Sequence, residues 1–215
     1  MLPMTGPLEK LACRIIPNKE GGDSVPALDE RLMATPAVAM ERCHEVTMNM
    51  GRIAVKATRN AMRELESAGI PYVLHTYEDD GDESAGLGVA ISEQLGEEPG
   101  QGFKTLVCVT PSNDHVVCCI PVADELDLKA AARAAGEKSL AMMHVKDLLA
   151  ATGYVRGGCS PVGMKKRYRT LIDETCVLWD TIFISGGKRG YQFEVAPDDL
   201  VAFCGATVAP ITREG

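Results

Sequence analysis

Apolar and polar residues follow two different periods along the chain, and these periods predict where the helices and strands lie. In residues 52–68 the apolar side chains recur every three or four positions, which predicts an amphipathic helix ended by Gly69. In residues 72–77 apolar and polar side chains alternate, which predicts a strand with His75 and Tyr77 on one face. The patterned part of the chain therefore begins with a helix followed by a strand.

The same two periods predict the remaining elements. Strands are expected at residues 103–110, 115–120, 170–173, 181–185, 191–195 and 207–211, and helices at residues 89–95, 127–135, 140–151 and 197–203. A turn at residues 111–114 joins the first two of these strands into a hairpin. Because strands and helices do not strictly alternate, a doubly wound parallel sheet is not expected. The order predicts a single α+β domain in which helices surround one mixed sheet.

Residues 1–55 differ from the rest of the chain. Five prolines and the pair Gly21–Gly22 interrupt this stretch, and no apolar period is sustained, although short helices at residues 28–33 and 37–48 are compatible with it. We expect residues 1–55 to form an N-terminal extension that is partly disordered or loosely packed, with a regulatory arm as the alternative. Residues 56–213 are expected to form the folded domain.

Charge is unevenly distributed in this chain of 215 residues, whose net charge is −8. An acidic protein is not expected to present a large DNA-binding surface. Residues 152–191 nevertheless hold seven basic and three acidic residues, so a local basic patch is predicted there. No apolar run approaches the roughly 18 residues of a membrane-spanning helix, so no membrane partner is expected.

The eight cysteines form neither a metal-binding nor a disulfide pattern. No C-x-x-C is present, no signal peptide is visible, and Cys118 and Cys119 are adjacent in an apolar run. Hydrophobic residues make up 46% of the chain, so a core can form without disulfide bonds. The cysteines are therefore predicted to be reduced core residues of a cytoplasmic protein.

Two glycine pairs, Gly157–Gly158 and Gly186–Gly187, flank the basic cluster of residues 165–169. Glycine has no Cβ, so a ligand can approach its backbone closely. Backbone N–H groups beside cations form a site for phosphate or for an oxyanion. A further cation, Lys104, lies near the start of a buried strand and either reaches the rim or points into such a site. The alternative for each glycine pair is a simple turn.

Motifs of the common cofactor and hydrolase sites are absent. The sequence contains no G-x-x-x-x-G-K-[ST], no G-x-G-x-x-G after a strand, no H-E-x-x-H and no G-x-S-x-G. Its four histidines have no metal-ligand spacing. No metal ion and no cofactor are predicted, and the residues alone indicate only an anion site.

Six segments together resemble the YbaK/EbsC family of aminoacyl-tRNA deacylases. They are HTYEDD (75–80), FKTLV (103–107), PVADELDLKAAARAAGEK (121–138), TGYVRGGCSPVGMKKR (152–167), TLID (170–173) and ISGGKRGYQFEVAPDDL (184–200). This family is related to the editing domain of bacterial prolyl-tRNA synthetases. The resemblance implies a curved, partly barrel-like mixed sheet surrounded by helices, and hydrolysis of the ester that joins a mischarged amino acid, typically Cys on tRNA(Pro), to the tRNA 3′ end.

The resemblance also implies the site residues. The catalytic residues would be Tyr77, Lys104, Gly157 and Ser185. The residues that bind substrate would be Thr105, Gly158, Ser160, Pro161, Gly186, Gly187 and Lys188, with Leu87 and Gln192 shaping the pocket. Arg156, Lys165, Lys166 and Arg167 would contact tRNA phosphates. In this interpretation Lys104 engages the terminal phosphates or adenosine, and the Gly157 backbone orients the carbonyl of the ester.

In Cys-specific members of the family the thiol of the substrate attacks its own ester, and a cyclic thioester forms. No protein nucleophile is then required, so Cys159 is expected to be a packing residue. Gln192 stands where some Cys-editing members have an acid, and Leu87 where a Phe is found. These departures leave open a deacylase for another small amino acid, such as Ala-tRNA(Pro), and a non-catalytic module that binds the tRNA end. Prolyl-tRNA synthetase is the protein partner that the family suggests.

Overall fold

The structure is a computed structural model that describes residues 36–78, 91–92, 94–98 and 100–213, apart from the side chains of residues 36–47 and 50. Within these residues the chain forms four α-helices and eight β-strands. The helices are α1 (Pro36–Ala68), α2 (Leu128–Ala135), α3 (Val145–Thr152) and α4 (Pro197–Cys204). The strands are β1 (Val73–Thr76), β2 (Gly102–Val109), β3 (His115–Pro121), β4 (Ala141–Met142), β5 (Arg169–Asp173), β6 (Ile182–Ser185), β7 (Tyr191–Val195) and β8 (Thr207–Ala209).

All eight strands belong to one mixed sheet with the order β1-β7-β6-β2-β3-β5-β8, and β4 pairs with β2. The neighbours of β2 show the mixture, because it runs antiparallel to β3 and parallel to β6. Two further pairs, β3 with β5 and β5 with β8, are parallel. The predicted α+β class with one mixed sheet is therefore confirmed.

Helix α1 is longer than the apolar period predicted. Its first residue is Pro36, whose fixed φ suits the first turn of a helix, and the next proline in the chain is Pro71. Because no proline interrupts residues 37–70, one helix of 33 residues replaces the separate helices expected at 37–48 and 52–68. The helix expected at 28–33 lies outside the described residues. The predicted boundary between residues 55 and 56 falls inside this helix. The division into an extension and a domain stays a prediction, but the two parts would be joined through continuous helix.

Local signals place α2 where it was expected. The Asp127 side chain accepts hydrogen bonds from the N–H groups of Lys129 and Ala130, at 2.8 and 3.0 Å, and so caps the first turn. Gly136 has a φ of 69° and closes the last turn in the left-handed conformation. An acceptor before the helix and a glycine after it were both readable from the sequence.

The helix predicted at residues 140–151 starts later than expected. Ala141 and Met142 form strand β4, which pairs with Val109 and Cys108 of β2, and α3 begins at Val145. The backbone groups of Ala141 and Met142 form hydrogen bonds with the sheet, although the apolar period had predicted a helix for these residues. Of the helix predicted at 89–95, residues 91–92 and 94–95 are helical and the remainder lies outside the described residues.

The core occupies both faces of the sheet. Cys119, Phe193 and Ile184 pack with Ala61 and Leu65 of α1 on one face, which we call the α1 face. On the other face Cys118 and Ile120 pack with Ala131, Ala132 and Ala135 of α2. Cys118 and Cys119 are both fully buried and lie on opposite faces, as strand alternation predicted. The six cysteines whose side chains the structure describes are free thiols.

Candidate active site

Four neighbouring strands bring predicted site residues into one row. Gln192 of β7 pairs with His75 of β1 on one side and with Ser185 of β6 on the other. Phe103 of β2 pairs with Ile184 of β6 in parallel, so Lys104 is the next position beside Ser185. Because alternate residues point to opposite faces, His75, Gln192, Ser185 and Lys104 share the face opposite the α1 face. We call this the site face.

One edge of β2 is open beside this row. Strand β6 pairs with residues 102–103 of β2, and β4 pairs with residues 108–109, while β3 occupies the other edge throughout. Between the two short partners, Lys104 and Thr105 lie where β6 ends and its chain turns into Gly186–Gly187. At the position of the predicted site, no strand therefore pairs with this edge of β2.

The two glycine loops touch each other. A Cβ at Gly158 would lie 3.0 Å from the Gly187 carbonyl oxygen, so a side chain here would push the two loops apart. The Gly187 N–H donates to Ser185 Oγ at 3.2 Å, which turns the chain immediately after β6. Within the described residues the exposed Gly157 N–H has no hydrogen-bond partner, so it can donate to a ligand. Gly157, Gly158, Gly186, Gly187 and Ser185 are thus brought together.

Arg189 covers Gly157 and was missed by the sequence interpretation, which selected its neighbour Lys188. A Cβ at Gly157 would lie 2.5 Å from Arg189 Nε, so the guanidinium lies directly over this glycine. Lys188 Nζ lies 5.4 Å from the centre of the Tyr191 ring. With exposed Arg156 in the first loop, three cations surround the glycine loops, which suits an anionic ligand.

Lys104 is half-buried on the site face. Its Nζ donates a hydrogen bond of 3.0 Å to the Val122 carbonyl oxygen. Burial lowers the pKa of this amine, and the nearby carboxylates of Asp124 and Glu125 oppose that shift. Tyr77 continues β1, because its N–H donates to the Gly190 carbonyl oxygen at 3.1 Å. Lys104 and Tyr77 therefore stand on the two outer strands that flank Ser185 and Gln192.

A histidine–carboxylate pair lies on the same face and was not among the predicted site residues. His75 Nε2 and Glu194 Oε2 are 2.8 Å apart, and the Thr181 hydroxyl donates to Glu194 Oε1 at 2.8 Å. Hydrogen bonds from His75 and then Thr181 lower the pKa of Glu194. The two residues are 119 positions apart, so the sequence could not predict their pairing. Strand alternation predicted only that His75 shares a face with Tyr77.

Glu97 adds a second carboxyl group near this pair. Its Oε2 accepts a hydrogen bond of 3.3 Å from Ser92 Oγ, and its buried Oε1 has no partner within the described residues. Burial raises the pKa of Glu97 to about 7, an effect that the Ser92 hydrogen bond and His75 oppose and Glu194 reinforces. This carboxyl group is therefore partly protonated at neutral pH.

Gln192 is the most unusual polar residue of the row. It is only 7% exposed, and its Oε1 has no hydrogen-bond partner among the described residues. A buried polar atom without a partner costs free energy, so such atoms are uncommon in folded proteins. A ligand that donates a hydrogen bond at this position would satisfy the oxygen.

Several predicted residues lie away from the row. Thr105 is on the α1 face, 3.8 Å from Cys119 Sγ. Ser160 is fully buried and accepts a hydrogen bond of 3.4 Å from the Val162 N–H, and the Pro161 carbonyl oxygen accepts one from Cys204 Sγ at 3.9 Å. Lys165, Lys166 and Arg167 are exposed beside α1. Leu87 lies outside the described residues.

Cys159 is placed as a packing residue. It belongs to a buried cluster with Ala57, Val107 and Tyr154. Burial raises the pKa of this thiol to about 12, so it is not ionised at neutral pH.

In the described part of the chain no three His, Cys, Asp or Glu side chains are arranged to hold a metal ion, and no described helix is long and apolar enough to cross a membrane.

Comparison with known proteins adds independent information. The model of the aminoacyl-tRNA editing domain family matches residues 86–203. An Enterococcus faecalis protein, whose name proposes it to be the Cys-tRNA(Pro)/Cys-tRNA(Cys) deacylase EbsC, is 42% identical over 165 residues, which are 77% of this chain and 99% of that protein. A solved structure of a protein proposed as a trans-editing enzyme for prolyl-tRNA synthetase has a TM-score of 0.63 at 25% identity, over 74% of this chain and 98% of that one. The hypothetical protein APE2540, with a TM-score of 0.65 at 19% identity over 72% and 99%, shares the fold.

The fold, the glycine loops and these similarities define an aminoacyl-tRNA deacylase. The chain belongs to the aminoacyl-tRNA editing domain family, and the resemblance to YbaK/EbsC proteins drawn from its motifs is confirmed.

Proposed function

We propose that this protein is a trans-editing enzyme that hydrolyses mischarged Cys-tRNA(Pro) at its 3′-terminal ester. The observation that carries the proposal is the row of Lys104, Ser185 and Gln192 at the end of β6, where the chain turns into the two touching glycine loops and the Gly157 N–H has no partner among the described residues. The name of the E. faecalis relative, which proposes Cys-tRNA(Pro) and Cys-tRNA(Cys) as its substrates, supports the choice of amino acid. Free tRNA is charged in the cytoplasm, which is where we place the protein.

The proposed roles follow from the geometry. The Gly157 N–H donates to the carbonyl oxygen of the ester and stabilises the negative charge that develops there. Lys104 provides positive charge for the terminal phosphate or adenosine, and Arg189 provides positive charge at Gly157. Gln192 Oε1, which lacks a partner in the described residues, accepts a hydrogen bond from the α-ammonium group of the amino acid. Ser185 and Tyr77 line the ribose.

The reaction needs no protein nucleophile. The thiol of the bound cysteine loses its proton and attacks the carbonyl carbon, which closes a four-membered ring and forms a tetrahedral intermediate. When the intermediate collapses, the C–O bond of the ester breaks and the tRNA 3′-oxygen leaves as a hydroxyl after gaining a proton. Water then opens the cyclic thioester and releases cysteine. Because the attack is intramolecular, the protein contributes orientation and charge stabilisation.

This mechanism discriminates by chemistry rather than by pocket size. Ala has no side-chain nucleophile, so an Ala ester bound in the same orientation would not be cleaved by this route. A hydrophobic pocket alone separates small side chains by only about 1–3 kcal/mol. A deacylase for Ala-tRNA(Pro) stays the alternative, because Gln192 replaces the acid found in some Cys-editing members.

The test is release of labelled amino acid from Cys-, Ala- and Pro-tRNA(Pro), with the wild-type protein and the Lys104→Ala variant. We expect hydrolysis of the Cys ester above the spontaneous rate and a loss of about 100-fold in Lys104→Ala, the magnitude typical of one charge-stabilising group. Hydrolysis of Ala but not Cys would select the alternative substrate. No hydrolysis of any ester would leave a tRNA-end binding module.

Association with prolyl-tRNA synthetase is a further part of the proposal. The chain offers few cations near the glycine loops, so its own selectivity among tRNAs is expected to be low. A synthetase that holds tRNA(Pro) would provide that selectivity. Addition of the synthetase should therefore increase hydrolysis of Cys-tRNA(Pro) more than hydrolysis of Cys-tRNA(Cys), and an equal effect on both would contradict the association.

A further inference from the structure

The outer surface of α1 carries a line of cations, which we call the α1 basic stripe. Its members follow each other at spacings of four, three and four residues, and all are exposed: Arg52, Lys56, Arg59 and Arg63. At 3.6 residues per turn these spacings place them on one side of the helix. The described side chains that α1 buries lie on the opposite side: Ala54, Ala57, Thr58, Ala61 and Leu65. The stripe therefore faces away from the protein body.

The charge of the stripe is not balanced locally. Residues 52–63 include four basic residues and no acidic residue, although the whole chain has a net charge of −8. Within the part of the chain that the structure describes, none of the four forms an ion pair, and Arg63 donates only to Asn60 Oδ1 at 3.4 Å. Like charges three or four residues apart destabilise a helix. An ordinary solvated face would interleave the two signs, whereas this one suits an anionic partner.

The stripe continues into an open groove. Arg63 lines this groove of about 530 Å³ together with Lys165, Lys166 and Arg167, and among the described residues Glu64 is the one acid in the lining. The other acid in the last turns of α1, Glu66, accepts a hydrogen bond of 3.0 Å from the Tyr72 hydroxyl. Cations of two separate segments thus border one surface.

The same helix lies against the second glycine loop and the segment that precedes it. A Cβ at Gly187 would be 3.1 Å from the Thr58 backbone nitrogen, and one at Gly163 would be 2.9 Å from the Ala61 backbone nitrogen. The segment between the two glycine loops therefore runs along α1 from residue 58 to the groove at Arg63. These contacts are on the buried side of α1, so a polyanion whose end lies at Gly157 and Gly187 reaches the stripe by way of the groove at Arg63.

We propose that the α1 basic stripe and the groove cations bind the sugar–phosphate backbone of the acceptor arm of the tRNA whose 3′ end occupies the site. The inference rests on the proposed function for the identity of that RNA. From Arg52 to Arg63 the helix rises about 16 Å, at 1.5 Å per residue, so the stripe can contact several successive phosphates. Such contacts carry no sequence information, which agrees with an enzyme that does not itself choose among tRNAs.

The experiment compares two variants that each lose three exposed cations. The stripe variant carries Lys56→Gln, Arg59→Gln and Arg63→Gln, and the control carries Lys129→Gln, Arg133→Gln and Lys138→Gln on and after α2. Binding of uncharged tRNA(Pro) to the full chain is measured by fluorescence anisotropy over a range of salt concentrations. Circular dichroism verifies that both variants are folded. Vesicles of phosphatidylglycerol serve as a second anionic probe.

We expect the stripe variant to bind tRNA at least about 10-fold more weakly at 150 mM salt, with a log–log salt slope smaller by about one for each lost phosphate contact. The control should bind like the wild type. Unchanged affinity of the stripe variant, an equal loss in the control, or stripe-dependent binding of vesicles but not of tRNA would overturn the inference. Because uncharged tRNA is the probe, failure of ester hydrolysis would reject the proposed function without deciding this result.

Discussion

The two faces of strands β6 and β7 carry residues of different kinds. On the α1 face Ile182, Ile184, Phe193 and Val195 are at most 1% exposed and pack in the core. On the site face Ser185, Gln192 and Glu194 alternate with them in the same two strands. The first set has no polar atoms in its side chains, and the second includes a buried oxygen without a partner in the described residues. One side therefore stabilises the fold, and the other keeps polar groups that a ligand can satisfy.

The same difference explains why some strand positions can carry residues that lower the stability of the fold. A strand needs only one well-packed face to hold its place, so its other face can carry residues that reduce stability. Gln192 is such a residue, because burial is unfavourable for an unpaired amide oxygen. The half-buried Glu97 lies outside the strands, and its carboxylate is likewise disfavoured by burial. Substitutions that exchange the properties of the two sides test this comparison.

The largest effect is expected on the α1 face. Phe193→Ala removes a fully buried ring that also packs edge-to-face on Tyr72, with 5.1 Å between ring centres. We expect the free energy of unfolding to fall by about 3–5 kcal/mol. Denaturant titration measures the change. A loss below about 1 kcal/mol, the size expected for its site-face neighbour Gln192→Ala, would remove the distinction between the sides.

Gly157→Ala should reduce both stability and activity. Its φ of 82° disfavours any side chain, at a cost of about 1–2 kcal/mol, and the new Cβ displaces Arg189. We expect hydrolysis of Cys-tRNA(Pro) to fall about 100-fold because the oxyanion donor moves. Gly136→Ala is the matched control, because its φ is 69° and nothing lies within 4 Å of the added Cβ. It should lose similar stability and keep full activity, and equal activity of the two variants would contradict the role of Gly157.

Gln192→Leu should separate stability from activity. It replaces a buried unpaired oxygen with apolar atoms, so we expect stability to stay the same or rise by about 1 kcal/mol. Hydrolysis should fall about 10-fold or more through a higher KM for the aminoacyl end. Gln101→Leu provides the contrast, because Gln101 Nε2 donates to the Thr181 carbonyl oxygen at 2.9 Å. A gain of stability in Gln101→Leu, or full activity in Gln192→Leu, would count against the interpretation.

The smallest expected effect is on the pH dependence of stability. Burial raises the pKa of Glu97 to about 7 in the folded state, from its ordinary value of 4.5. The folded protein therefore binds the proton more tightly than the unfolded chain, and stability falls as pH rises from about 4.5 to about 7. About half of the side chain remains near solvent, so we expect only about 1 kcal/mol. Glu97→Gln should remove this part of the pH dependence in thermal unfolding curves recorded at pH 5 and 8, with the exposed Glu98→Gln as the control.

Much of the fold could be predicted because its signals are local. The strand at 191–195, the hairpin of β2 and β3, and the caps of α2 depend on residues close together in the chain. The extent of α1 and the strand β4 could not be predicted from periodicity. The helix continues because no proline stops it, and β4 forms because Cys108 and Val109 offer free backbone groups far away in sequence.

The candidate site likewise contains some residues that the sequence could predict and others that it could not. The glycine loops and Lys104 were readable as motifs, whereas the pair His75–Glu194 and the carboxyl group of Glu97 were not. His75 and Glu194 meet only because β1 pairs with β7. Glu97 belongs to this cluster because its segment packs on the sheet at Gly102, where a Cβ would lie 2.9 Å from Ser92 Oγ.

By itself the amino-acid sequence determined the α+β class, the alternation that separates core from site, and the family through its glycine motifs. These properties depend on chain neighbours, whose geometry is the same wherever the segment lies. Only the tertiary structure decided that Thr105 faces the core while Lys104 faces the site, that Arg189 covers Gly157, and that the cations of α1 meet those of residues 165–167. Strand register and helix packing bring together residues far apart in the chain, and neither can be derived from the periodicity of a single segment.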